Sequence, residues 1–285
     1  MIAGIDFGST LVKAVWKREW KEGDVIDRFN SYFKYASTRT YTLENIIEQL
    51  KNDSVTRLNI VGIHYKGEAL PGFELKFQKG NPIEEEISMQ VEGTKKLLAL
   101  DGIDYLKDFL IVSIGTGTSY TSVRNAFFEG EYAQHFPIGN SISGGFILGL
   151  GKCLGAKNFK EIVECARNGK PADLLIKDVL PSTKEPQQDY VIASFGKEAK
   201  TIDDVYATVI SAVATATVKD ILAMGVNPEF NHRNIVYIGS SVQHNPVLKA
   251  QLELTTKIFK KNPYFPRKCA YALAMGAYLE GKRLD

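Results

Sequence analysis

The segment GIDFGSTLVKAV, residues 4–15, brings a carboxylate, a glycine turn, two hydroxyls and an ammonium close together in the chain. Asp6 stands in an apolar run, where an isolated charge is costly unless it is paired or solvated. At the end of a strand it can face a cleft, and a hydrated Mg²⁺ would complement it there. Gly8, Ser9 and Thr10 can set backbone N–H groups and hydroxyls around phosphate oxygens, and Lys13 adds a point charge for a transferring phosphoryl group. A plain hairpin with a capping aspartate has the same pattern, so the segment alone leaves both readings open. GTGTS, 115–119, makes a second such turn from Gly115, Thr116, Gly117 and Thr118. Two turns facing one another would form a pair of phosphate clamps. YIGSS, 237–241, ends in Gly239, Ser240 and Ser241, which would let a flat ring or a ribose lie against the backbone; an ordinary strand-to-helix turn reads the same way. The GxxxxGK[ST] phosphate loop and a GxGxxG opening a helix are both absent.

The elements that must position these residues follow from periodicity. Strands are expected over 1–7, 10–18, 26–36, 58–64, 109–115, 119–125 and 234–241. Helices are expected over 42–52, 83–100, 143–154, 158–168, 203–225, 246–259 and 269–281. Residues 65–81 read as a loop with room for a short strand, and 169–200 as a polar insertion, partly helical and partly loop. The strand–turn–strand opening at residue 4 recurs after residue 108 with the same design, which implies two similar α/β lobes. Helix 203–225 is apolar nearly all round, so it is either a core helix or a contact with a partner.

With 44% apolar and 24% charged residues and a net charge of +2, the chain has the mixture of a globular protein and no basic block for nucleic acid. No apolar run reads as a membrane span, and MIAGIDFG lacks the pattern of a signal peptide. Cys153, Cys165 and Cys269, without CxxC spacing, argue against a disulfide framework, suggest a reducing cytoplasm, and are expected as buried small hydrophobes.

GIDFGSTLVKAV, IVSIGTGTSYTSV, GNSISGGFILGLGKCL (139–154), NIVYIGSSVQHNPVL (234–248) and ALAMGAYL (272–279), in this order, resemble the superfamily of sugar kinases, actin and heat-shock ATPases. Within it they resemble most the type II (eukaryotic-like) pantothenate kinases. The resemblance implies two ribonuclease-H-like α/β lobes of the actin-like ATPase fold with a nucleotide cleft between them. One lobe would be 1–107 with the last helix, 268–285, packed back on it; the other would be 108–267. Closure of the lobes about a hinge is expected.

It further implies ATP-dependent phosphorylation of the primary hydroxyl of pantothenate, the first step of coenzyme A biosynthesis, by a cytoplasmic homodimer using ATP and Mg²⁺. The family's general base is a glutamate at the start of a helix in the first lobe. PIEEEISMQVEG offers Glu84, Glu85 and Glu86, and counting back from Gly93, equivalent to the family's helix glycine, selects Glu86. Lys13 and Asp6 would complete the catalytic set, with Asp6 on Mg²⁺ through water. Phosphate and nucleotide contacts would come from Gly8, Ser9, Thr10, Gly115, Thr116, Gly117, Thr118, Gly145, Gly239, Ser240 and Ser241. Acceptor contacts would come from Ser119, His135, Phe136, Ser143 and Gly144. Phe136 stands where the family carries an arginine that contacts pantothenate, with His135 beside it. Another small alcohol as acceptor, or an ATPase that activates a radical dehydratase through an iron–sulfur cluster, are the alternatives the same residues admit.

Overall fold

The computed structural model describes residues 1–17, 33–62, 65, 70–77 and 82–283. They form two compact units, Met1–Lys107 with Asn125–Ala133 and Pro266–Asp285, and Asp108–Arg124 with Gln134–Phe265. Residues 125–133, which the range 108–267 would place in the second lobe, cluster with the first unit.

The first unit opens with β1 (Ile2–Phe7), β2 (Val12–Lys17) and β3 (Phe33–Ser37), then α1 (Leu43–Asn52), β4 (Arg57–Val61), β5 (Glu74–Phe77) and α2 (Pro82–Leu100). The sheet order is β3-β2-β1-β4-β5. β1 to β3 form an antiparallel meander, while β4 and β5 lie parallel to β1. Ile5, Trp16, Ile46, Leu50 and Leu58 are buried together between this sheet and α1. α1 begins where the sequence places it, because Thr42 caps it and exchanges hydrogen bonds with Asn45. The strand expected over 26–36 begins at Phe33, and 26–32 fall outside the described residues, as do 63–64 of the strand expected over 58–64. The short strand allowed for in 65–81 is β5.

The second unit runs β6 (Phe109–Ile114), β7 (Thr118–Arg124), β8 (Tyr132–His135), α3 (Gly144–Cys153), α4 (Phe159–Asn168), β9 (Leu174–Leu175), α5 (Ile176–Val179), β10 (Val191–Ala193), α6 (Ile202–Met224), β11 (Asn234–Ile238), α7 (Ser240–Gln243), α8 (Pro246–Ile258) and β12 (Asn262–Tyr264). Its main sheet has the order β12-β11-β6-β7-β8. Read from β8, this is the plan of the first unit again: an antiparallel pair with an outer third strand, then two parallel strands. The repetition extends to single residues. Gly62 follows β4 with φ +111°, and a Cβ there would stand 2.4 Å from the Phe7 carbonyl oxygen; Gly239 follows β11 with φ +110°, and its Cβ would stand 2.3 Å from that of Ile114. In each unit a left-handed glycine lets the chain turn hard against the end of the first strand.

α6 is capped by Thr201, which exchanges hydrogen bonds with Asp204. By length and composition it could cross a bilayer, which corrects the expectation that no apolar run is long enough; 67% of that stretch is buried inside the protein. It packs on α4 and α8, so its apolar surround is largely used within its own unit. α9 (Ala272–Arg283) belongs to the first unit and lies against β1 and α2. Small residues make this possible: a Cβ on Gly93 would sit 1.8 Å from the Ala272 carbonyl oxygen, and one on Gly276 1.8 Å from that of Met89. Of the cysteines only Cys269 is buried; Cys153, the last residue of α3, is exposed, and Cys165 on the amphipathic α4 is half-buried.

Candidate active site

In the first unit the β1–β2 register sets Asp6 opposite Lys13. Cross-strand partners share a face, so the two side chains meet. Lys13 Nζ donates to Asp6 Oδ2 at 2.6 Å, with the side chains only 13% and 5% exposed. The carboxylate that would be costly to bury alone is thus matched by its cross-strand neighbour. Gly8 N–H closes the turn onto the Leu11 carbonyl at 3.2 Å, leaving Ser9 and Thr10 exposed at the tip. The exit of the turn is held by Thr38: its N–H donates to the Val12 carbonyl, and Val12 N–H to Thr38 Oγ1, both at 2.9 Å. Mg²⁺ binds through one or two carboxylates and otherwise keeps water and phosphate oxygens. Asp6 supplies one carboxylate for that demand, with Oδ2 taken by Lys13 and Oδ1 near the Gly8 turn. Among the described residues no group of three His, Cys, Asp or Glu gathers that could hold an ion unaided. Glu86 lies near the start of α2, half-buried, two turns before Gly93.

In the second unit three glycine-rich segments converge. The turn between β6 and β7 is closed by Gly115 N–H on the Gly117 carbonyl at 2.9 Å. Gly144 N–H donates to the Gly115 carbonyl at 3.2 Å and Gly145 N–H to the Thr116 carbonyl at 2.8 Å, so the start of α3 sits on the turn. Ser241 Oγ donates to the same Gly115 carbonyl at 3.0 Å. Only glycine fits at 144, where a Cβ would lie 2.0 Å from Ser241 Oγ and 2.3 Å from the Gly115 oxygen. The structure therefore brings Gly115–Thr118, Ser143–Gly145 and Gly239–Ser241 together.

The sequence assigns Thr118 to phosphate and Ser143 to the acceptor. In the structure both are buried, and Thr118 Oγ1 donates to Ser143 Oγ at 2.9 Å. Together with Ser241 they clamp backbone to backbone, which turns these hydroxyls inward. Thr116 and Gly117 remain exposed at the tip, and Ser119 and Ser240 are half-buried.

His135 and Phe136 have partners of their own on β7 and at Phe230. His135 Nδ1 lies 3.2 Å from Thr121 Oγ1, and burial lowers the imidazole pKa, which keeps it neutral. Phe136 N–H donates to the Tyr120 carbonyl, while its ring packs edge-on against Phe230.

One residue escaped the sequence reading. Asp220 of α6 accepts hydrogen bonds at Oδ2 from Tyr120 Oη at 2.7 Å and from Asn140 Nδ2 at 2.6 Å. Burial and the Asp220 carboxylate both push the Tyr120 phenol pKa up, so it stays a donor. The signal was present: after Asp204, Lys219 and Asp220 are the only charges in an otherwise apolar helix.

Comparison with known proteins gives three consistent results. The family model Fumble matches residues 102–280. The type II pantothenate kinase of Staphylococcus saprophyticus subsp. saprophyticus is 29% identical over 287 residues, covering 97% of this chain and 99% of that protein. The type II pantothenate kinase of Staphylococcus aureus (strain MRSA252) is 28% identical over 292 residues, covering 99% and 100%. Among solved structures, the activator of the 2-hydroxyisocaproyl-CoA dehydratase from Clostridium difficile with bound ADPNP superposes with a TM-score of 0.57 at 14% identity, covering 100% of this chain and 97% of that one. That likeness shows the fold: the expected α/β architecture of the actin-like ATPase kind is present.

Proposed function

The chain belongs to the Fumble family, and from that premise we propose that it is an ATP-dependent kinase of the primary hydroxyl of pantothenate. The observation that carries this reading is the end-to-end match with proteins named type II pantothenate kinase. The convergence of three glycine-rich segments on the Gly115 turn supports it, because phosphoryl transfer asks a protein mainly for positioning and charge.

In this reading Glu86 accepts the proton of the acceptor hydroxyl as its oxygen attacks the γ-phosphorus in line, and ADP leaves. Lys13 offsets the charge that develops on the equatorial oxygens. The exposed tips, Ser9–Thr10 and Thr116–Gly117, present backbone N–H groups and hydroxyls to phosphate, and the Gly239–Ser240 bend lies along the nucleoside. Gly8 and Gly145 allow the close backbone approach. Thr118, Ser143, Gly144 and Ser241 hold the Thr116–Gly117 tip in shape from beneath. Ser119, His135 and Phe136 line the acceptor side, His135 as a neutral hydrogen-bonding group. Mg²⁺, held by Asp6 through water, would neutralise phosphate charge. A homodimer and a cytoplasmic location belong to the same proposal.

The test is ADP release as a function of added pantothenate, with Mg²⁺ present. Turnover is expected only when ATP and pantothenate are supplied together. Absence of pantothenate-dependent release, with turnover on another small alcohol, would replace the acceptor while keeping the chemistry. A brown, oxygen-sensitive protein without kinase activity would overturn the reading in favour of a dehydratase activator.

A further inference from the structure

Asn140 opens the loop that leads into α3, and each of its polar groups has a partner. Its backbone N–H and carbonyl exchange hydrogen bonds with Thr118 at 2.9 Å each, Oδ1 accepts from Ile142 N–H at 2.7 Å, and Nδ2 donates to Asp220. The Thr118 bonds tie the loop to the end of the Gly115 turn, and the Ile142 bond shapes the approach to Ser143. The bond to Asp220 ties it to α6, the most deeply packed helix of the unit. The same carboxylate oxygen holds Tyr120, whose backbone carbonyl accepts from Phe136 N–H. One oxygen of Asp220 thus holds both arms of chain that flank the acceptor side, the one ending at Phe136 and the one beginning at Asn140.

We propose that Asp220 is a positioning residue for acceptor binding, acting through Asn140 and Tyr120. This rests on the kinase reading above. The bonds of the phosphate turn to Gly144, Gly145 and Ser241 do not involve Asp220, whereas the 138–142 loop is fixed to the helix by the Asp220 side chain. The effect therefore falls on the acceptor rather than on ATP.

A reversal of the pair tests it. N140D sets two carboxylates at hydrogen-bond distance. D220N keeps an acceptor oxygen for both donors. The double variant N140D/D220N restores the 140–220 bond with donor and acceptor exchanged, and the Tyr120 hydroxyl, which shares that position, must then accept from the second amide N–H. N140D is expected to raise the pantothenate KM about tenfold, the effect of removing one partly buried hydrogen bond, with the ATP KM within about twofold. D220N, which keeps the acceptor oxygen but not its charge, should raise the pantothenate KM less than N140D does, and the double variant should recover part of the loss. Equal rises in both KM values, or a double variant no better than N140D, would overturn the proposal.

If the wild-type protein shows no pantothenate-dependent turnover, the kinase reading fails separately, and hydrogen exchange then decides the Asp220 role. Faster exchange at the amides of Thr118, Asn140 and Ile142 in N140D, reversed in the double variant, upholds the anchoring; unchanged protection removes it.

Discussion

Asp6 and Lys13 satisfy each other across two strands, so neither can be removed without exposing the other's charge to a poorly solvated site. Breaking a buried pair from one side costs about 3–5 kcal/mol, while removing both partners is far cheaper. Lys13→Met should therefore lower the thermal midpoint clearly, and Lys13→Met combined with Asp6→Asn should recover most of it. Neither variant should recover turnover, and calorimetry with an ADP-release assay separates the two effects. Glu86→Gln is expected to lower kcat by about 100-fold or more with ATP affinity unchanged, the range of a lost general base; an unaltered kcat would reject Glu86 in that role. The pairing of Asp6 with Lys13 follows from antiparallel register, yet the sequence alone directs Asp6 to Mg²⁺ and Lys13 to phosphate and does not pair them. The inward rotation of Thr118 and Ser143 was not legible either, because a hydroxyl after a glycine turn suits phosphate and backbone equally well. Asp220 stands out as a charge in an apolar helix, but its partners do not: they lie 100 and 80 residues away, and no local pattern announces them.

Helix α2 carries Glu86, and its seat is set by glycines. Gly93→Ala would force a methyl into the backbone of α9, so α2 must shift. The expected cost is about 1–3 kcal/mol, as for an overpacked core, together with a fall in kcat, because Glu86 rides two turns away on the same helix. Gly149→Ala is the contrast: a Cβ there meets nothing within 4 Å, and α3 should be unchanged or slightly steadier. Denaturant titrations of both variants check this. Long periodic elements were readable almost to the residue, since caps such as Thr42, Asn158 and Thr201 mark their starts. β8 and β12 were not foreseen. They are short strands beside better ones, and β12 contains Pro263, so tertiary pairing decides them. The insertion 169–200 likewise resolves into a two-stranded ribbon of β9 and β10 with α5, organised partly by its seat on α6: Ala172 N–H donates to Thr208 Oγ1, and Ser211 Oγ to Asp173.

For the molecule as a whole, stability should depend on acid in a definable window. His232 is buried, with Nε2 2.7 Å from Ser122 Oγ, and burial, reinforced by the Arg124 charge, lowers its pKa to about 4. Above pH 6.5 both the folded and the unfolded states hold the ring neutral. As pH falls from 6.5 toward 4 the unfolded chain takes up a proton that the folded one refuses, so the His232 contribution to folding stability is lost across that interval. His232→Gln should flatten this slope in urea midpoints measured from about pH 7 to 4; an unchanged slope would assign the acid sensitivity elsewhere. The repeated strand order was the most legible global feature, because it is announced by the repeated opening of each unit. That repetition has a practical corollary at the bends after β4 and β11. Alanine at position 62 and alanine at position 239 pose the same steric problem in equivalent surroundings. Each thus serves as the other's internal standard, and any excess loss of nucleotide affinity at 239 reports ligand recognition with the folding penalty already subtracted.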